Sequence, residues 1–148
     1  MQTFNNILYV YSETVDNQSA LQQAVKLAEQ HQAKLTIAFT FSPQVIPESL
    51  GLCAQDINDF IEHKEVERDE IVAQCSSLID VTKRSLLCDS YIDLVKLVNK
   101  GKYDLLIKPS EDEGLVGKIF GSNDMGYLRQ CPCPVWIVNA NTDHKAII

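Results

Sequence analysis

Phosphate binding is the chemistry that the last third of the sequence could best support. Gly121 and Ser122 open a predicted helix that follows a buried strand and a long acidic loop, KPSEDEGLVGKIF. In an open parallel sheet, such a loop brings an anion to the free N–H groups of a helix N-terminus, where the helix dipole favours negative charge. Any anion or nucleotide site is therefore expected in this part of the chain.

Thiol and metal chemistry have weaker support. The five cysteines are odd in number and irregularly spaced, which suits reduced thiols better than a disulfide framework; they are Cys53, Cys75, Cys88, Cys131 and Cys133. No Cys or His pairs stand at metal-ligand spacing, so we expect no metal. Cys131 and Cys133 lack the CxxC redox pattern, and packing of two small apolar side chains is the simpler interpretation.

A hydrolase triad is also poorly supported. Ser122 has no histidine near it in sequence, and none of His31, His63 and His144 stands at a predicted strand end. A serine nucleophile needs a base within hydrogen-bonding reach. We therefore expect that the protein is not an enzyme.

Composition excludes several classes of partner. The 148 residues carry a formal charge of -7, so no basic surface is expected that could neutralise nucleic acid or an anionic membrane. No apolar run approaches the roughly 20 residues that span a bilayer, and the polar start MQTFNN does not resemble a signal peptide. We predict a cytoplasmic protein with one domain, residues 1–140, and a tail, residues 141–148.

The elements that must position the loop alternate between strands and helices. The first strand is NILYVY, residues 6–11, which is predicted to be central and buried. A helix with one apolar stripe follows, capped by Asp16 or Asn17. KLTIAFTF, residues 34–41, is the second strand. A long helix over 54–79 contains EHKEVERDE, which is expected to be a solvated face with local ion pairs.

The second half continues the alternation. KRSLLC, residues 83–88, is predicted to be a short edge strand, and the helix after it is capped by Asp89 or Ser90 and ends at Gly101. Further strands are expected over 103–108 and 134–139, with a helix over 122–130 between them. This order predicts a doubly wound α/β sheet. Its ligand crevice should lie between the first and fourth strands, near Ser12, Thr40 and the loop after Lys108.

In order and spacing, these segments resemble the universal stress protein family. The resemblance covers nearly the whole chain and depends on NILYVY, KLTIAFTF, YDLLIK and GSNDMGYLRQCPCPVWIV. It implies a five-stranded parallel sheet of order 3-2-1-4-5 with helices on both faces, the adenine nucleotide alpha hydrolase-like fold. It also implies a homodimer, or pairing with a second universal stress domain, through the last strand, whose residues are Pro134, Val135, Trp136, Ile137 and Val138.

The nucleotide motif implied by the resemblance is degenerate in this chain. Nucleotide-binding members carry an Asp after the first strand, then Gly, two residues, Gly, nine residues, and Gly with Ser or Thr. Counting back from Gly121, the glycine positions hold Glu111 and Lys108, and Ser12 replaces the Asp. Side chains at the glycine positions block the approach of backbone N–H groups to phosphate, and Glu111 repels it. The residual nucleotide contacts would be Ser12, Thr40, Gly121, Ser122 and Asn123.

Two functions follow from this pattern. The first is a non-catalytic stress-response domain that binds no ATP and acts through dimerisation or domain pairing. The alternative is a nucleotide-binding regulator or weak ATP hydrolase that holds ATP or AMP through a rearranged loop. The missing Asp and loop glycines favour the first function.

Overall fold

The computed structural model describes residues 3–13, 15–41, 54–77, 79–87, 91–110 and 123–139. Strands and helices alternate along these ranges. They are β1 Asn6–Tyr11, α1 Gln18–His31, β2 Lys34–Phe41, α2 Ala54–Cys75, β3 Val81–Leu87, α3 Tyr91–Gly101, β4 Leu105–Pro109, α4 Asn123–Gln130 and β5 Val135–Val138. The predicted tail, residues 141–148, lies outside the described part of the chain, as do the proposed helix caps Asp89 and Ser90.

The strands form one parallel sheet in the order β3-β2-β1-β4-β5. β1 is central and pairs with β2 on one side and β4 on the other. The chain therefore winds outward in one direction from β1 to β3 and then in the other from β4 to β5. The predicted doubly wound fold and strand order are confirmed.

Several predicted boundaries are corrected. β3 begins at Val81, two residues before the prediction, because it pairs with β2 over its whole length. α2 ends at Cys75, before the predicted end at 79. β3 is an edge strand, as predicted from its charged residues. Its neighbour in the described sheet is β2.

The strands beside the predicted crevice also differ in their ends. β4 runs from Leu105 to Pro109, whereas the predicted strand covered 103–108. Asp104 lies before the strand because its carboxylate accepts hydrogen bonds from the N–H groups of Asn5 and Asn6, at 2.8 and 3.1 Å. β5 contains Val135–Val138, so Pro134 flanks the strand.

Each face of the sheet has its own core. On one face, Ile7, Tyr9 and Leu35 pack against α1 and α2. Three alanines at four-residue spacing, Ala20, Ala24 and Ala28, form the buried stripe of α1 and let this helix lie close to the strands. On the other face, Leu8, Val10 and Leu106 pack against α3 and α4 through Leu94, Leu97, Val98 and Tyr127.

The position of α4 depends on a close contact with α3. A Cβ atom at Gly126 would lie 2.4 Å from the Tyr91 ring, so a larger residue there would require this ring to move. The rings of Tyr91 and Tyr127 also pack together, with centroids 5.7 Å apart. These contacts fix the start of α4 beside the end of β4.

Candidate nucleotide site

The carboxyl ends of β1, β2 and β4 meet at one edge of the sheet. Tyr11 at the end of β1 pairs with Phe39, and Tyr9 pairs with Ile107. Ser12 and Thr40 each follow a paired residue by one position, so they lie on the same edge as the end of β4. This edge is where an open α/β sheet would hold a nucleotide.

Lys108, which stands at the first glycine position of the implied motif, lies within β4. Its side chain is only 1% exposed and is on the same face as Leu106. The ammonium Nζ forms an ion pair with Asp124 Oδ1 and donates to the carbonyl oxygen of Pro109 at 2.8 Å. It also lies 5.5 Å from the centroid of the Tyr127 ring. The charge of Lys108 is therefore engaged inside the protein.

Asp124 completes this buried pair from the first turn of α4. Its side chain is 3% exposed, and its second oxygen, Oδ2, accepts a hydrogen bond from Ser110 Oγ at 3.3 Å. A carboxylate in the first turn of a helix is stabilised by the helix dipole. The same position would favour a bound phosphate. The chain thus places its own anion where a nucleotide phosphate would have to approach.

The turn from β1 to α1 is closed by Asn17. Its side chain accepts a hydrogen bond from the Ser12 N–H at 3.0 Å and donates to the Ser12 carbonyl at 2.6 Å. The buried Tyr9 hydroxyl donates to the same amide oxygen at 2.9 Å. Asp16 or Asn17 was predicted to cap α1: Asn17 occupies the N-cap position without a side-chain capping bond, whereas Asp16 Oδ1 accepts a hydrogen bond from the Gln18 N–H at 2.9 Å. Both backbone groups of Ser12 are held by the Asn17 amide.

Thr40 is tied to α2 by Arg68. Arg68 Nη2 donates to the Thr40 carbonyl oxygen at 3.1 Å and to Glu13 Oε1 at 3.2 Å. Its guanidinium group lies 5.1 Å from the centroid of the Phe39 ring, and the side chain is buried. The arginine therefore covers the end of β2 with a charge that already has a carboxylate beside it.

Other predicted site residues are described only in part. Glu111, Gly121 and Ser122 lie outside the described residues, and Asn123 is described only as the first residue of α4. Asp124 and Arg68 were not predicted as site residues. A lysine in the apolar strand YDLLIK was a signal that a buried carboxylate would be needed.

A groove of about 590 Å³ lies between α1 and α2 and reaches Tyr11 and Asn17 at the end of β1. Its lining includes Asp16, Leu21, Val25, Ile71 and Gln74. Because these helices cover the face of the sheet opposite Lys108, the groove is distinct from the β4–α4 end of the crevice. Within the described ranges, no three His, Cys, Asp or Glu side chains are placed to hold a metal ion. No helix in those ranges is long and apolar enough to cross a membrane.

β5 forms one edge of the described sheet. Pro134 and Val138 accept hydrogen bonds at their carbonyl oxygens from the N–H groups of Leu106 on β4 and of Ser110, which follows it, at 3.0 and 2.8 Å. Since alternate residues of a parallel strand face the same neighbour, the backbone groups of Val135 and Ile137 point to the outer side. The Trp136 side chain is 38% exposed. β5 therefore presents polar backbone groups and an aromatic side chain at this edge.

Comparison with known proteins identifies relatives over almost the whole chain. The sequence model of the Universal stress protein family matches residues 3–139. Universal stress protein E of Photorhabdus laumondii is 23% identical over 147 residues, which cover 93% of this chain and 46% of that protein. The Universal stress protein E homolog of Haemophilus influenzae is 26% identical over 146 residues, covering 91% and 47%. The chain spans about half the length of these curated relatives.

Solved structures show the same fold. Universal stress protein UspA from Lactobacillus plantarum superimposes with a TM-score of 0.75 at 16% identity, covering 93% of this chain and 99% of that one. A universal stress protein crystallised in complex with cAMP superimposes with a TM-score of 0.65 at 21% identity, covering 93% and 98%.

Proposed function

Because the chain belongs to the universal stress protein family, we propose that it is a non-catalytic stress-response domain that binds no ATP. It acts in the cytoplasm by pairing with another universal stress domain through β5. The buried ion pair between Lys108 and Asp124 is the observation that carries the first part of this proposal. The position of β5 at the edge of the described sheet supports the second part.

The ion pair opposes nucleotide binding in two ways. Asp124 already places a carboxylate in the first turn of α4, and it neutralises the Lys108 ammonium that could otherwise attract a phosphate. Opening a buried pair by removing one partner costs about 3–5 kcal/mol. Micromolar affinity corresponds to about 8 kcal/mol in total. A nucleotide that displaced Asp124 would therefore lose roughly half of that binding free energy.

The β1 end of the crevice supports the same conclusion. In the family pattern, an Asp near the adenine would stand at position 12. Here Ser12 is buried, and its N–H and C=O groups are bonded to the Asn17 side chain. An incoming adenine would have to compete with these intramolecular hydrogen bonds for the backbone groups of this turn.

Calorimetric titration with ATP and magnesium tests the binding proposal, with AMP and cAMP as further titrants. We expect no saturable heat up to millimolar nucleotide. Asp124→Asn is the matched variant, because it removes the carboxylate charge and keeps the side-chain size. If Asp124 blocks the site, this variant gains nucleotide binding once circular dichroism shows that it is folded. Micromolar binding by the unmodified chain would instead support the nucleotide-dependent regulator or weak ATP hydrolase.

Pairing through β5 is supported by the chemistry of its edge. The outward backbone groups of Val135 and Ile137 can add a strand from another chain, and the exposed Trp136 ring supplies apolar contact area. A second universal stress domain fits this edge because it would present the same strand. The curated relatives are about twice the length of this chain, which leaves room in each for a second domain.

Light scattering after size-exclusion chromatography tests the pairing proposal. We expect a dimer that Trp136→Lys converts to a folded monomer. Val66→Lys is the matched control, since Val66 is 58% exposed on α2 and distant from β5 in the strand order. Trp136 is a better choice than Val135, which also packs against the domain's own core. A monomeric unmodified chain, or a dimer unchanged by Trp136→Lys, would contradict the proposal.

A further inference from the structure

Two thiols lie close together in the short segment between α4 and β5. The Sγ atoms of Cys131 and Cys133 are 3.6 Å apart, and both side chains are half-buried. Pro132 stands between them and is exposed. This separation is the contact distance of two sulfur atoms, and both thiols point to the same side of the segment.

We propose that Cys131 and Cys133 form a reversible redox site, which closes to an intramolecular disulfide by exchange with a small-molecule disulfide such as glutathione disulfide. The site lies at the amino end of β5, away from the carboxyl edge where a nucleotide would bind. It does not depend on whether the domain binds ATP or forms a dimer.

The backbone around the pair allows the bond to form. A disulfide needs the sulfurs at about 2.05 Å, so they must approach each other by roughly 1.5 Å. Residues 131–134 belong to neither a helix nor a strand. Two backbone hydrogen bonds hold the ends of the segment: the Cys131 N–H donates to the Tyr127 carbonyl at 3.0 Å, and the Pro134 carbonyl accepts from the Leu106 N–H at 3.0 Å. The turn between these anchors can tighten without breaking α4 or β5.

The surroundings assign an order to the two thiols. Both pack against the apolar cluster on the α3 and α4 face. Burial, followed by the neighbouring Cys131, raises the pKa of the Cys133 thiol to about 12. Because the thiolate is the attacking species, Cys133 is a poor first nucleophile. We therefore assign the first attack to Cys131 and the resolution of the intermediate to Cys133.

The exchange is balanced in two steps. Cys131 loses its proton to solvent, and its sulfur attacks one sulfur of glutathione disulfide, which breaks the S–S bond and releases one glutathione thiolate. Cys133 then loses its proton and attacks the Cys131 sulfur of the mixed disulfide, releasing the second glutathione. The cysteine pair loses two electrons and two protons, and one glutathione disulfide becomes two molecules of reduced glutathione.

Mass spectrometry of the full, folded chain tests this reaction directly. Trypsin cleavage after Arg129 and Lys145 gives a peptide that contains Cys131 and Cys133 and no other cysteine. The chain is equilibrated in a series of glutathione redox buffers, and free thiols are then blocked with N-ethylmaleimide. We expect the peptide to lack two hydrogen atoms and to carry no blocking group. After reduction with dithiothreitol and renewed treatment with N-ethylmaleimide, the same peptide should carry two blocking groups. A peptide that stays doubly blocked throughout the series, or that retains bound glutathione, would overturn the proposal.

Single serine variants test the order of attack. Cys133→Ser should accumulate a mixed disulfide between glutathione and Cys131. Cys131→Ser should form its mixed disulfide at Cys133 at least about tenfold more slowly. Cys75→Ser is the matched control, because it removes a buried thiol elsewhere and should leave closure of the 131–133 pair unchanged. Equal rates for the first two variants, both folded by circular dichroism, would overturn the assigned order.

Discussion

Two groups of opposite charges hold a helix to the sheet, and they lie in contrasting surroundings. In the inner pair, Lys108 of β4 contacts Asp124 of α4, and both side chains are at most 3% exposed. In the outer group, Lys83 of β3 contacts Glu65 and Asp69 of α2 at 2.5 and 2.7 Å. Those side chains are between 27% and 65% exposed. The inner pair is therefore almost fully shielded from water, whereas the outer group is partly exposed to it.

The comparison separates a contact that defines the site from one that only docks a helix. Removing one partner from a buried pair leaves an uncompensated charge away from water, which is strongly destabilising. An exposed pair loses little, because water and salt replace the missing partner. The inner pair should therefore determine whether α4 stays packed against the end of β4. The outer group adds a modest, salt-sensitive attraction between α2 and an edge strand.

The largest effect is predicted for the inner pair. Lys108→Met leaves Asp124 buried without its counter-ion, so the free energy of unfolding should fall by about 3–5 kcal/mol. Urea unfolding followed by circular dichroism measures this change. The double variant Lys108→Met with Asp124→Leu removes both charges and should recover most of the loss.

The double variant also shows what would contradict this interpretation. If Lys108→Met alone changed stability by less than about 1 kcal/mol, the pair would behave like an exposed contact. If the double variant were no more stable than the single one, the loss would reflect the packing of the lysine stem and not the charge of Asp124.

A buried contact without charge should fall between the two groups. Tyr9→Phe removes the hydroxyl that donates to Asn17 Oδ1, and we expect a loss of about 0.5–1.5 kcal/mol in urea unfolding. Tyr103→Phe, at a half-buried position outside this hydrogen-bond group, is the matched control. A loss as large as that of Lys108→Met would show that charge is not the property that separates the inner pair from other buried contacts.

Alkaline pH tests the same contact. Burial raises the pKa of Tyr9. Because the folded value lies above that of the unfolded chain, about 10, the stabilisation is present below that pH and is lost as pH rises toward the folded value. Tyr9→Phe should therefore reduce the loss of stability above about pH 10. An unchanged alkaline profile would contradict the assignment of this pKa.

The sequence predicted the sheet better than it predicted the site. Apolar runs such as NILYVY showed which segments are buried strands, and their alternation with helices predicted a doubly wound sheet; the strand order 3-2-1-4-5 was implied by the family resemblance. Periodicity reports whether a position is buried, but not which side chain lies opposite it. Lys108 and Asp124 are 16 residues apart and meet only because α4 packs back on β4. For the same reason, periodicity predicted Arg68 as a member of a helix face, and it did not predict that the Asn17 side chain would bond Ser12.

The smallest effect is predicted for the outer group. Bonds from Lys83, and then from Ser85, lower the pKa of Glu65 below its usual range. A lowered folded pKa stabilises the protein above the unfolded carboxyl value, about 4.3, and that stabilisation is lost as pH falls through the folded value. Because water reaches Lys83, Glu65 and Asp69, Lys83→Met should reduce the free energy of unfolding by at most about 1 kcal/mol at pH 7.

Salt distinguishes this small effect from the large one. In about 1 M salt the Debye length falls to roughly 3 Å, so the difference between Lys83→Met and the unmodified chain should nearly vanish in urea unfolding. The effect of Lys108→Met should persist there, because the inner pair is shielded from ions. If both variants lost their effect in salt, water would reach Asp124, and the carboxylate would no longer explain a closed phosphate position. A salt-independent effect at Lys83 would instead make the outer group a structural contact comparable with the inner pair.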